Sequence, residues 1–168
     1  DVQFLLSPQD LMGLQQVPDL IRAGVTCLKI EGRLKGPEYV AATTAAYRAA
    51  VDHAVEALQR PGGGGGDALQ LPEQQLTDLR QVFARGQDEE HDGLTPGFLD
   101  GVKHQRLVRG RAPRHRGVLL GRVRSVDRGL RGVWVDLQGP VKRGDGIVVD
   151  QGRPMEEEQG GSVMGLLQ

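Results

Sequence analysis

Cysteine is almost missing from this chain: of 168 residues only Cys27 carries a thiol. One thiol closes no disulfide within the chain and builds no cysteine-rich zinc site. A reducing, cytoplasmic setting is therefore the expectation, with Cys27 as a small buried hydrophobe. Aromatic residues are scarce too, at 4% with a single tryptophan, so any core must be made of leucine, valine, isoleucine and alanine. No apolar run is long enough for a membrane helix, and none reads as a signal peptide. The Gly-x-Ser-x-Gly elbow and the His-Glu-x-x-His metal helix are absent. His53, His91, His104 and His115 are scattered without ligand spacing, so no metal set is expected. Gly62–Gly66 is no phosphate loop, because no strand leads into it and no Gly-Lys-Ser/Thr follows. It reads as a flexible break after Pro61.

Net charge is also small, at −1, but the charge is unevenly spread. Between Lys103 and Arg131 there are ten lysines and arginines against the single acid Asp127, a local excess of +9. Such asymmetry suggests a face for a polyanion. Lys103, Arg106, Arg109, Arg111, Arg114 and Arg116 are the candidate nucleic-acid contacts. The alternative is a basic connector that pairs with the acidic stretch from Asp88 to Asp92.

What is present begins with local pattern. Val2–Leu6 and Val25–Ile30 read as strands, joined by short helices. Ser7, Pro8 and Asp10 fit an N-cap, a first-turn proline and a capping-box acid. Pro18 opens a second short helix that Gly24 closes. This order predicts a parallel pair of strands. Pro37 to about Arg60 is the strongest helix, with Val40, Thr44, Tyr47, Val51, Ala54 and Leu58 tracing one stripe. Tyr47 and His53 are read as helix surface or core edge. A further helix runs from about Pro72 to Arg85 on Leu76, Leu79 and Phe83, with Gly86 as its stop, and Gln87–Gly93 reads as exposed. From His115 the period changes to short strands: about His115–Arg124, Val133–Leu137 and Ile147–Val149. Val141–Gly146 forms a tight turn, in which Arg143-Gly144-Asp145 is a solvated charge pair rather than an adhesion motif. The chain opens at Asp1 within an apolar stretch and stops at Gln168 in mid-pattern, as a piece of a longer protein would. The expected organisation is three parts: 1–60, the late part of an α/β barrel; 61–114, a linker, helix and basic connector; and 115–168, a small β-barrel.

The densest chemistry lies at the end of the second expected strand. Lys29, Glu31 and Arg33 flank Gly32, directly before the helix start at Pro37. In α/β folds the carboxyl end of a strand is where chemistry is placed. Glu31 could act as a base or orient a substrate, Arg33 could hold a carboxylate or phosphate with both nitrogens, and Lys29 could neutralise an anion. Arg33, Lys35 and the helix start make an anion corner. The plain alternative is a surface salt bridge at a strand–helix turn.

Several of these segments resemble one family. They are Ser7-Pro8-Gln9-Asp10-Leu11, Leu20–Val25, Leu28-Lys29-Ile30-Glu31-Gly32-Arg33-Leu34-Lys35, Pro37-Glu38-Tyr39-Val40, Ala46–Asp52, Thr95-Pro96-Gly97-Phe98-Leu99 and His115–Val123. They are similar to the late barrel segment and following domain of the collagenase-like peptidases of family U32. The resemblance implies a fragment of a (β/α)8 TIM-type barrel followed by a small β-barrel like the second domain of elongation factor Tu. It implies either a protease or an oxygen-independent hydroxylase of pyrimidines in ribosomal or transfer RNA. The hydroxylases are associated with an iron–sulfur cluster and prephenate. With Cys27 alone, this chain holds no cluster itself and is expected to be inactive alone. Carried over residue by residue, Glu31, Arg33 and Lys29 match the family's charged turn and would position substrate or cofactor. The basic segment favours an RNA hydroxylase. A collagenase-like protease and a non-catalytic nucleic-acid-binding module are the alternatives, and the last predicts no pocket at Glu31.

Overall fold

The computed structural model describes residues 6–61, 68–82, 84–85, 87, 91–103, 105, 107–108, 115–153 and 158–167. Its helices and strands follow one another as β1 (Asp10–Leu11), a 3-10 turn (Leu14–Gln16), α1 (Val17–Arg22), α2 (Pro37–Gln59), α3 (Glu73–Val82), β2 (Leu94–Thr95), β3 (Gly121–Asp127), β4 (Gly132–Leu137), β5 (Gly146–Val149) and β6 (Gln159–Ser162). The mixture of helix and strand is that of an α/β fragment.

Helix α2 forms where its local signals ask for it. Gly36 caps it with extended backbone, Pro37 occupies the first turn, and Glu38 places a negative charge at the positive end of the helix dipole. Its interior is rich in alanine, the strongest helix former. The buried face, however, is Thr43, Ala46, Ala50, Ala54 and Ala57. The stripe read from the larger side chains shares only Ala54 with it, and the rest is turned roughly 100° round the helix. Val40 and Leu58 lie outside, at 42% and 37% exposure. Packing supplies the reason. The core is Leu14, Val17, Leu79 and the three alanines Ala46, Ala50 and Ala54, with Tyr47 and Val51 at its edge. Small side chains on α2 let α1 and α3 come close, and the bulk is provided from the facing elements. Burying Val17 completely contributes about 1.5–3 kcal/mol.

Other parts depart from the pattern reading. The Ser7 cap does not lead into a helix: Asp10 and Leu11 instead pair in parallel with Leu94 and Thr95. The parallel pair thus exists, but between segments the periodicity did not join. Val25–Ile30 is not a strand, since no described strand lies alongside it and a strand needs a ladder partner. Leu28 still packs against the core, whereas Cys27 is exposed and not the buried hydrophobe expected. Val2–Leu5 of the first expected strand, the glycine run, Phe83 and Gly86 lie outside the described residues. Helix α1 starts at Val17 with Pro18 in its first turn and closes just before Gly24, which takes φ +85°, a left-handed conformation that favours glycine.

The Thr95-Pro96-Gly97-Phe98-Leu99 segment docks on the 11–16 region. The Met12 amide donates to the Thr95 carbonyl at 2.8 Å, and the Gln16 side-chain amide donates to Asp100 at 2.7 Å. Gln87 and Gly93 are buried rather than exposed.

Residues 115–167 form two antiparallel hairpins, β3–β4 and β5–β6, that do not share a ladder. A closed barrel is not formed among the described residues. The Arg143–Asp145 turn is as expected: the Lys142 amide donates to Asp145 Oδ2 at 2.9 Å, and Gly144 has φ +94°. The first hairpin begins at Gly121 rather than near His115, because residues 115–120 contact α3 and its C-terminal flank instead. Val118 N–H donates to Gln81 Oε1 at 3.1 Å, and His115 Nδ1 lies 3.0 Å from the Ala84 carbonyl.

Candidate functional site

The charged turn is an exposed loop leading into α2. The Glu31 carboxylate accepts a hydrogen bond from the Arg33 amide at 3.0 Å, and Lys35 N–H closes the turn onto the Gly32 carbonyl at 3.1 Å. Leu34 takes a left-handed φ of 65°, unusual for a branched side chain. Lys29 Nζ stands 3.9 Å from Glu31 Oε2, with both side chains largely in solvent, at 87% and 64% exposure. A pair so exposed is worth little to stability. Arg33 is exposed as well. Lys29, Glu31 and Arg33 are thus brought together, on an open surface rather than in a walled cavity.

Lys35 does not join an open anion corner. It turns inward, and its Nζ lies 3.7 Å from Asp10 Oδ1, with the lysine side chain 13% exposed and the aspartate 23%. Arg85 reaches the other oxygen of the same carboxylate, Nε to Oδ2, at 3.3 Å. The Lys35 ammonium also sits over the Tyr39 ring, 5.0 Å from its centre, a cation–π contact. Burial lowers the Lys35 pKa, with the Arg85 charge adding to the effect and Asp10 opposing it. Burial likewise raises the Tyr39 pKa, helped by the negative charges of Asp10 and Glu31 and opposed by a hydrogen bond with Thr43. Glu31, Tyr39, Lys35, Asp10 and Arg85 therefore form one electrostatically connected patch spanning β1, the charged turn, α2 and the segment just after α3. Beside it, the Gln9 amide nitrogen and His91 Nδ1 are 3.0 Å apart.

The sequence reading gave Asp10 a capping role and gave Arg85 none. Only the pairing of β1 with β2 and the position of α3 bring them to Lys35. The signal that could have been weighed was a carboxylate and a lysine in two separate motif segments of one family resemblance.

The basic candidates fare differently. Lys103 is exposed. Arg106, Arg109, Arg111 and Arg114 lie outside the described residues. Arg116 is 8% exposed; its guanidinium bonds Asp150 at 2.9 Å and also Glu158. This geometry ties residue 116 to the β5–β6 region. Asp92 pairs with Arg80 on α3, at 3.2 Å. Among the described residues no group of three or more His, Cys, Asp or Glu side chains is placed to hold a metal ion. The iron–sulfur cluster implied by the resemblance does not fit this chain, because Cys27 is its one thiol and a cluster takes several.

An α/β fragment with a charged turn leading into a long helix is the class that fold and site define. The model of Peptidase family U32 matches residues 1–109. The chain belongs to that family. It is 30% identical over 150 residues to an uncharacterized protease of Methanocaldococcus jannaschii, a match covering 88% of this chain and 33% of that protein. It is 42% identical over 52 residues to tRNA hydroxylation protein P1 of Bacillus subtilis, covering 31% of this chain and 12% of the relative. A collagenase of Porphyromonas gingivalis is 40% identical over 50 residues, covering 30% of this chain and 14% of the relative. The chain thus spans a third or less of the length of these relatives. No solved structure matches it. Among the described residues no helix is long and apolar enough to cross a membrane.

Proposed function

We propose that this chain is the RNA-engaging part of a family U32 enzyme that hydroxylates pyrimidines at C5 in transfer or ribosomal RNA. The observation that carries the reading is the basic excess from Lys103 to Arg131, ten cations against one acid, which straddles the end of the segment matched by the family, residues 1–109. Phosphate contacts give affinity without sequence preference, so a cationic run suits a folded RNA partner. The relatives named as tRNA hydroxylation proteins support the same direction.

In this reading Arg33 and Lys29 hold an anionic group of substrate or cofactor. Glu31 fixes the turn through the Arg33 amide and orients that group. Asp10 bridges Lys35 and Arg85 and holds the end of the turn. Cluster-borne oxidation chemistry is assigned no step here, and prephenate is a candidate for the anion that Arg33 would hold.

The test uses the complete enzyme on transfer RNA lacking the modification, with added oxygen read by mass spectrometry of nucleosides. Glu31→Gln and Arg33→Ala should abolish most of the product while leaving folding intact. Cleavage of collagen by the same protein, lost in Glu31→Gln, with no nucleoside product, would replace this reading by the protease one. Filter binding of transfer RNA to the 168-residue chain should weaken steeply with salt.

A further inference from the structure

The β3–β4 hairpin separates its side chains cleanly. Val123 faces Val135, and Val126 faces Val133, while Leu137 stands opposite Gly121. These residues share one face, because side chains alternate along a strand and directly paired residues point the same way. A bulge at Arg124 resets the alternation, so that Ser125 faces Trp134 and Arg122 faces Asp136 on the opposite face. The chain's one tryptophan thus lies on the polar face, away from the five apolar side chains, and is 43% exposed. Both faces are open to solvent, with Val123, Val126, Val133 and Leu137 at 49%, 68%, 50% and 53% exposure, and the indole lies on the face that carries Arg122, a placement that core packing does not explain. Arg122 and Arg124 come from β3 and are exposed; Arg128 and Arg131, from the connecting loop, are exposed too but line a hollow with Val126 and Val133 of the other face. Two acids oppose them. Asp127 is spent on the turn, accepting from the Leu130 amide at 2.9 Å, and Asp136 faces Arg122 in register.

We infer that this polar face is a platform on which an unpaired base of single-stranded RNA stacks against Trp134, with Arg122 and Arg124 holding the flanking phosphates. An indole offers a π-face that any base can use, and arginines beside it track the backbone; this is how β-surfaces bind single strands without sequence preference. The inference rests on the RNA reading above and gives it a location.

Because Trp134 is the sole tryptophan, its emission reports on this face alone. The 168-residue chain is titrated with unlabelled oligouridylate of about ten nucleotides, and binding is followed separately by anisotropy of a dye-labelled copy. The expected result is quenching with the same midpoint as the anisotropy change. Trp134→Ala should weaken binding roughly tenfold or more, and Trp134→Phe should restore most of it. Binding by anisotropy without quenching, and equal binding by Trp134→Ala, would overturn the platform while the RNA reading stands. The same holds if transfer RNA binds and the oligonucleotide does not. If neither binds, both fall. Quenching by a proline-rich peptide in place of the oligonucleotide would make this a protein-binding face and end the inference.

Discussion

Lys35 and Asp10 meet with Nζ 3.7 Å from Oδ1, although one precedes α2 and the other forms β1. Arg85 takes the second oxygen of the same carboxylate at 3.3 Å, so one acid bridges two cations in a half-buried place. Removing the acid is therefore the informative change. Asp10→Asn should lower unfolding stability by about 1–3 kcal/mol, the usual loss when charged hydrogen-bond partners are stranded. Urea denaturation measures it. Combining Asp10→Asn with Lys35→Met should recover part of the loss, and simple additivity would show that the pair is not coupled.

The alanine face of α2 predicts intolerance to bulk. Ala50 and Ala54 are 2% and 1% exposed, and the helices around them are already close. Ala54→Leu should cost about 1–3 kcal/mol through overpacking, while the same substitution at exposed Ala41 should be near neutral. A matched pair of thermal melts distinguishes them.

Alkaline titration should reveal both tyrosines. Burial is the largest cause raising Tyr39 and Tyr47 above the ordinary value of 10.0. Below pH 10 folded and unfolded chains both hold the phenolic protons, and the stabilisation is fully present. As pH rises past 10 the unfolded chain ionises first, so that stability is lost through the raised folded values. Lys35 acts with the opposite sign, because its lowered value makes folding less unfavourable as pH approaches 10.5 from below. Tyrosinate absorbance should thus appear at higher pH in the native protein than in guanidinium. Coincident curves would contradict the burial.

Gly93 has φ +82°, and an added Cβ would lie 2.7 Å from the Arg85 carbonyl oxygen. Gly93→Ala should cost at least about 1–3 kcal/mol, and it should disturb the Arg85–Asp10 contact that this carbonyl's residue makes. Loss of stability in urea without any change in the Tyr39 titration would separate the two effects.

Arg116 and Lys103 should behave differently although both are basic. Arg116→Gln removes the cation shared by Asp150 and Glu158 and should loosen the 115–167 region. It should leave the salt dependence of RNA binding unchanged. Lys103→Ala should leave the melting temperature unchanged and reduce the slope of log affinity against log salt by about 0.7–0.9 if it meets one phosphate. Equal slopes for Lys103→Ala and the parent chain would remove residue 103 from the interface.

Much of the local structure was legible. Pro37 and Glu38 mark the start of α2, Pro18 and Gly24 bound α1, and the glycine turns divide the last third into hairpins. These signals act between near neighbours in sequence. The strand expected at Val25–Ile30 was not, since an apolar run cannot show whether a ladder partner stands beside it. The buried face of α2 was misread for a related reason: large side chains were taken to mark the inside, but the close approach of α1 and α3 selected the alanines. Glu31 and Arg33 were expected in a charged turn before α2 and lie in one, with the Arg33 amide bonded to the Glu31 carboxylate, whereas Lys29 was expected on a strand that does not form.

The amino-acid order alone determined that the chain has a long alanine-rich helix, a charged turn before it, and a basic run from Lys103 to Arg131, because each depends on residues close together along the backbone. Only the tertiary structure decided that Asp10 would serve Lys35 and Arg85, that Arg116 would be taken up by two carboxylates, and that Trp134 would lie on the hairpin face opposite its valines. Those outcomes depend on which distant segments share a ladder or pack together, and a charge or an indole carries no mark of its partner until the chain has closed around it.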